Sequence, residues 1–260
     1  MKAVVSATTG TDHIDLEAAQ ERGVAVLCLR GEYDFLKTIS ATAEHTWSLL
    51  LALIRRVPWA FDDVRRGGWN RDHFRGHDLI GMRLGILGLG RIGSQVARFG
   101  IAFGMEVGAF DPFKQSWQES VQRFATPEEL LRSTEVLCVH LPLNEQTSGF
   151  LDEGRLRLMP AGSWLINTSR GAILDENALV KVLHDGHLAG AAVDVLSNEQ
   201  VTGTRTDNPL LEYAKRRDNL LITPHLAGAT REAMERTEIF MAQKLRRALS
   251  ETREAAACNP

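Results

Sequence analysis

Along the chain, short runs of consecutive apolar residues alternate with stretches where apolar positions recur every three or four residues. The first texture reads as strands covered on both faces, the second as amphipathic helices. Strands are predicted over residues 2–6, 24–29, 83–87, 105–110, 135–140, 163–167, 188–194 and 219–223, the first two as buried strands. Helices are predicted over 15–22, 41–56, 91–103, 175–184 and 230–250, and another opens at Thr126. Strand and helix take turns, the signature of an α/β protein with a parallel sheet. Local chemistry marks the ends. Gly23 and Gly186 stop helices, Asp175 caps one, and Thr126, Pro127 and Glu129 form a helix start with a capping box. The helix over 41–56 is strongly apolar and ends before Pro58. Residues 59–80 are polar and glycine-containing and read as a connector or surface loop with room for one short helix.

Composition narrows the classes. With 260 residues, 44% of them hydrophobic, and 30 basic against 33 acidic side chains, the chain is neither disordered nor built to hold nucleic acid by bulk charge. The longest apolar run, 47–54, is too short to span a bilayer, and the first ten residues lack the apolar stretch of a signal peptide. Three cysteines, Cys28, Cys138 and Cys258, form no CxxC pair and point to the cytoplasm; Cys28 and Cys138 lie in apolar runs and read as core residues. No metal-ligand spacing is present, so no metal is expected.

Chemistry enters at Gly88-Leu89-Gly90-Arg91-Ile92-Gly93, a GxGxxG between an apolar strand and an amphipathic helix. There the first glycine permits the turn, the second lets backbone approach a pyrophosphate, and the third allows close packing of helix on strand. The helix start offers N–H groups and a positive dipole end to phosphate. Asp111 ends the next strand, 18 residues after Gly93, where a carboxylate accepts from an adenosine ribose and repels a 2′-phosphate. NAD is therefore favoured over NADP, with Lys114 the one nearby cation. Three further segments follow strands: Asn167-Thr168-Ser169-Arg170-Gly171, Asp194 to Glu199, and Thr223-Pro224-His225. In an open α/β sheet, ligands bind at the carboxyl ends of strands. Arg170, Glu199 and His225 thus fall at one end of one sheet, a set suited to holding a carboxylate and moving a proton. An ion-pair role for Arg170 and a packing role for His225 remain open on position alone.

Those stretches, together with TTGTDHIDLEAAQERGVAV, VHLPLNEQT and GAAVDVLSNE, resemble the D-isomer-specific 2-hydroxyacid dehydrogenases over residues 4–235. The resemblance implies an NAD-dependent hydride transfer at C2 of a D-2-hydroxy acid or 2-oxo acid, with Arg170, Glu199 and His225 catalytic. It implies Asp194 at the nicotinamide amide. It places His140, Leu141, Pro142, Thr147, Thr168, Ser169 and Gly228 beside the GxGxxG residues and Asp111 in the cofactor cleft, and the Thr9-Gly10 loop with Arg170 on the substrate carboxylate. Within the family, the run NPLLEYAKRRDNLLITPH is most similar to phosphoglycerate-dehydrogenase-type members. The family's usual Glu-Pro is here Glu199-Gln200. The alternatives are an NAD(H)-binding sensor of the co-repressor kind, and a truncated, weakly active homologue.

The resulting architecture is a Rossmann-like doubly wound parallel sheet over 78–230, a partial flavodoxin-like substrate domain over 1–77, and a C-terminal helix over 231–260 returning to the latter. A flavodoxin-like domain needs on the order of 100 residues. We therefore expect roughly 60 residues of the N-terminal region to be absent. The strands over 2–6 and 24–29 would then lack neighbours, and activity would suffer more than cofactor binding. A homodimer is expected, with its interface near the apolar helix over 41–56.

Overall fold

The computed structural model describes residues 3–199 and 207–257; Lys2, Gln200 and Cys258 lie outside the described residues. Two compact units emerge, residues 1–41 with 228–260, and residues 42–227. Residues 42–77, grouped by the sequence reading with the first segment, thus fall in the larger unit.

The smaller unit holds β1 (Ala3–Val5), α1 (Leu16–Glu21), β2 (Ala25–Leu27) and α2 (Tyr33–Leu36). Its strands pair in parallel with each other as a two-stranded sheet. The expectation that both are buried is corrected: they are half-covered, and Val5 is exposed, because two strands present few faces for others to cover. Cys28, expected in the core, is likewise only half-buried. Asp15 caps α1 through the Ala18 N–H, and Gly23 leaves it at φ +61°.

The larger unit opens with α3 (Ala41–Ile54) and α4 (Val57–Arg65), then β3 (Arg83–Leu87), α5 (Arg91–Ala102), β4 (Glu106–Phe110), β5 (Val121–Arg123), α6 (Pro127–Ser133) and β6 (Val136–Val139). It continues with α7 (Glu153–Leu156), β7 (Ser163–Asn167), α8 (Glu176–His184), β8 (Leu188–Val193), α9 (Pro209–Ala214) and β9 (Leu220–Ile222). The smaller unit resumes in α10 (Arg231–Ala257). The seven strands lie in the order β5-β4-β3-β6-β7-β8-β9, every pair parallel. The winding direction reverses between β3 and β6, so this is a doubly wound, Rossmann-like sheet with its switch point there.

Alternate residues feed two cores. Leu84, Ile86, Val136, Cys138, Trp164 and Ile166 meet α3 and α5 on one face; Leu87, Leu137, Val139, Leu165 and Val193 meet α6, α8 and α9 on the other. Strands covered twice must be apolar throughout, which is why β3, β6 and β7 read as unbroken runs. Complete burial pushes the Cys138 thiol up to about 12. The apolar character of α3 has the same source. Leu50, Leu53 and Ile54 are buried in the first core, and Trp47 stacks on Phe103 with centroids 4.7 Å apart. The stretch 59–80 carries more structure than a connector. Pro58 sits in the first turn of α4, where its missing N–H is no loss, and Arg71–Phe74 form a 3-10 turn. The capping box at Thr126 and Glu129 and the Asp175 cap are both formed.

Candidate active site

Each glycine of the β3–α5 turn has its own steric reason. Gly88 has φ +89°, and a β-carbon there would lie 2.6 Å from the His140 carbonyl. At Gly93 it would lie 2.1 Å from the Gly88 carbonyl. At Gly90 it would meet nothing within 4 Å. Two glycines are thus demanded by the protein's own packing, while Gly90 bares backbone toward open space at the start of a twelve-residue helix. Asp111 closes the cradle, its carboxylate accepting from Leu89 N and Phe113 N at 2.9 Å each. Ile92 packs against the first core, and Arg91 is half-buried, desolvation drawing its guanidinium pKa down. An exposed backbone cradle at a helix start, with a fixed carboxylate at the neighbouring strand end, fits the pyrophosphate and ribose of NAD.

The opposite wall comes from β6 and the turn after it. His140 extends β6 through its N–H to Leu87 O at 2.8 Å, and both ring nitrogens are buried. Burial drives its pKa down to about 3, so the imidazole is neutral. Leu141 packs against the second core. The Thr147 hydroxyl donates to Pro142 O at 2.6 Å and closes the turn.

After β7, the buried Asn167 shapes the arginine loop. Its Oδ1 accepts from Ser169 N and Oγ, and its Nδ2 donates to Arg170 O at 3.0 Å. Arg170 is half-buried and donates from Nη1 to Ser169 O. Gly171 lies hard against the next loop; a β-carbon there would sit 2.1 Å from Leu196 C. Glu176, at the start of α8, anchors that loop, accepting from Ser197 N and Asn208 Nδ2 at 2.7 Å each. Burial is the main cause of its raised pKa.

Glu199 and His225 meet directly, Nδ1 of the imidazole on Oε1 of the carboxylate. That hydrogen bond chiefly raises the His225 pKa; burial and the Arg170 charge oppose it, and the charges of Glu199 and Asp194 add to it. Burial pulls the Glu199 carboxyl up, yet the His225 bond, the Leu196 N–H and the charges of His225 and Arg170 outweigh it and hold it low. The structure therefore brings Arg170, Glu199 and His225 within electrostatic reach of one another. His225 itself adopts a left-handed backbone, φ +56°.

Asp194 lies beneath them with its side chain wholly buried. It accepts from the Thr223 hydroxyl and from Leu226 N and Ala227 N at 2.8 Å each. Thr168, buried as well, shares a 2.8 Å hydrogen bond with Thr46 of α3. Thr46 gives its own proton to Thr42 O at 2.8 Å, so Thr168 is the donor between the two; Thr46→Val strands that donor and is expected to lower stability by about 1–3 kcal/mol, read from the shift in a urea midpoint. Thr9, Gly10 and Gly228 belong to the smaller unit. There Thr8 Oγ1 donates to Gly10 O at 2.7 Å, and Ser6 Oγ contacts both Thr8 and His13. Sequence reasoning missed Glu176, Thr46 and Thr223 as supports. Glu176 is signalled only by its place after the Asp175 cap, and the two threonines by nothing local.

A sequence profile of the D-isomer specific 2-hydroxyacid dehydrogenase NAD binding domain matches residues 47–227. The chain is 40% identical over 238 residues to D-3-phosphoglycerate dehydrogenase of Bacillus subtilis, covering 90% of this chain and 42% of that protein. It is 38% identical over 254 residues to glyoxylate reductase of Aeropyrum pernix, covering 94% of this chain and 72% of that protein. Among solved structures, D-lactate dehydrogenase of Aquifex aeolicus, complexed with NAD and lactic acid, superposes with a TM-score of 0.84 at 29% identity, covering 98% of this chain and 78% of that one. The chain spans less than half the length of the curated phosphoglycerate dehydrogenases it matches, 42% and 45% for those of Bacillus subtilis and Archaeoglobus fulgidus.

Proposed function

The chain belongs to the D-isomer-specific 2-hydroxyacid dehydrogenase family, and on that premise we propose that it interconverts a small D-2-hydroxy acid and its 2-oxo acid. The observation that carries this reading is the Glu199–His225 pair with the Arg170 charge beside it, mounted at the carboxyl end of the sheet that bears the glycine cradle. NAD, when bound, gives or takes the hydride at its nicotinamide. In reduction, Arg170 holds the substrate carboxylate and polarises the C2 carbonyl, and protonated His225 delivers the proton from Nε2 to the carbonyl oxygen. In oxidation, neutral His225 takes the hydroxyl proton at the same nitrogen. Glu199 fixes the ring through Nδ1 and stabilises the imidazolium. The cradle residues from Gly88 to Gly93 with Asp111 hold the cofactor, and His140 to Pro142, Thr147, Thr168 and Ser169 wall it. The family resemblance further assigns Thr9 and Gly10 to the substrate, and Asp194 and Gly228 to the nicotinamide.

A 3-phosphoglycerate-like substrate is supported by relatives such as the Bacillus subtilis enzyme, and a shorter 2-oxo acid by the Aeropyrum pernix glyoxylate reductase. A homodimer is supported by the exposed apolar stripe Val57, Phe61 and Val64 on α4. No helix among the described residues is long and apolar enough to cross a membrane, and the free thiols Cys28 and Cys138 support a cytoplasmic site. The test is NADH consumption with glyoxylate, hydroxypyruvate, phosphohydroxypyruvate and pyruvate. Turnover of at least one is expected. Tight NADH binding without turnover on any would replace this reading with that of a dinucleotide sensor.

A further inference from the structure

Helix α3 carries His45 to the underside of the histidine loop. Its Nε2 lies 3.1 Å from Thr223 Oγ1 and 3.3 Å from Asp194 Oδ1. Counting protons assigns the donor. A threonine hydroxyl has one hydrogen, and Thr223 gives it to Asp194. Thr223 therefore only accepts from His45, and Nε2 of His45 is the nitrogen that carries a proton. The same N–H faces the buried Asp194 carboxylate. Asp194 in turn accepts the N–H groups of Leu226 and Ala227, the two residues after His225, while the N–H of His225 donates to the Asp194 carbonyl at 2.8 Å.

We infer that His45 is a positioning residue for His225, its Nε2–H completing the Thr223–Asp194 clamp that holds the histidine loop on both sides. A non-glycine residue at φ +56° stays there only when its surroundings overdetermine it. A buried carboxylate is also costly unless donors and dipoles around it stabilise its charge. Asp194 Oδ1 already accepts from Thr223 and Leu226; His45, from an element outside the loop, fixes the Thr223 hydroxyl in its donating orientation and sets its N–H dipole against the same oxygen. The catalytic significance rests on the reading of His225 as proton carrier; the clamp itself does not.

The test uses the full chain. Ring-nitrogen NMR, with signals assigned by their loss in H45Q and H225Q, is expected to show His45 protonated at Nε2. In H45F, which keeps a ring and loses the donor, the amides of Leu226 and Ala227 are expected to exchange about tenfold faster. The His225 titration is expected to move to lower pH as its hold on Glu199 loosens; Glu199, Asp194 and Arg170 are the charged groups bearing on it. With a substrate from the assay above, kcat is expected to fall about tenfold with KM nearly unchanged. H45Q, which restores an N–H donor, is expected to recover most of each loss. His45 protonated only at Nδ1 in the unaltered protein overturns the inference, even if H45F fails to fold. So does a folded H45F with unchanged exchange and His225 titration. If no 2-oxo acid is turned over, the dehydrogenase reading fails, while the tautomer and exchange data still decide the role of His45.

Discussion

His225→Gln is expected to lower kcat by about 10²–10⁴ while NADH affinity changes little. Steady-state rates and a fluorescence titration measure the two separately. The split follows from placement: His225 meets Glu199, whereas the cradle is built from β3, α5 and Asp111. The pH profile carries a sign. On the proposed reading reduction uses the protonated imidazole, and the Glu199 hydrogen bond raises its pKa. The reductive rate should therefore be greatest below the raised value and fall as pH climbs through it. Oxidation uses the neutral ring and should rise over the same window. Glu199→Gln removes the anion and should move both limbs to lower pH. Equal profiles for the unaltered protein and Glu199→Gln would detach Glu199 from the proton transfer.

Gly93→Ala and Gly90→Ala are expected to weaken NADH binding by roughly 10² for different reasons, equivalent to about two lost charge-assisted hydrogen bonds. At Gly93 the new methyl would lie 2.1 Å from the Gly88 carbonyl, so turn and helix must separate. Stability should fall as well, by about 1–3 kcal/mol. At Gly90 the methyl points into open space at an ordinary φ of −70°. The fold should be untouched, with only the approach of the pyrophosphate obstructed. Parallel thermal melts and NADH titrations of both variants check this. A Gly90→Ala protein that binds as before would show that the phosphates do not pass there.

The nucleotide-binding sheet was legible in the sequence because its strands are covered twice. Arg83–Leu87, Val136–Val139 and Ser163–Asn167 are unbroken apolar runs that no helix periodicity explains. Arg170, Glu199 and His225 were legible because each follows such a run. What escaped has a common physical cause. The edge strand Val121–Arg123 covers only Val121, so Gln122 and Arg123 break the pattern. The helix Val57–Arg65 hid behind Pro58, a residue that stops helices from inside and starts them from the first turn. The sequence pattern groups residues 42–77 with the first segment, yet the buried side of Ala41–Ile54 is matched to Leu84, Ile86 and Val96, a pairing visible only in three dimensions. The same holds for His45 and Thr46, whose partners lie 178 and 122 residues away.

The contact at Gly171 has a mechanical consequence. Backbone seated on backbone leaves no side chain to flex between the arginine loop and the loop leading to Glu199. Glu176 pins that second loop to α8, and Asp194 ties its first residue to the segment after His225. Arg170, Glu199 and His225, which the proposed function makes the reacting side chains, are therefore mounted on one jig. Whatever movement admits or releases a substrate, their mutual spacing travels with them, and alignment need not be recovered at each turnover.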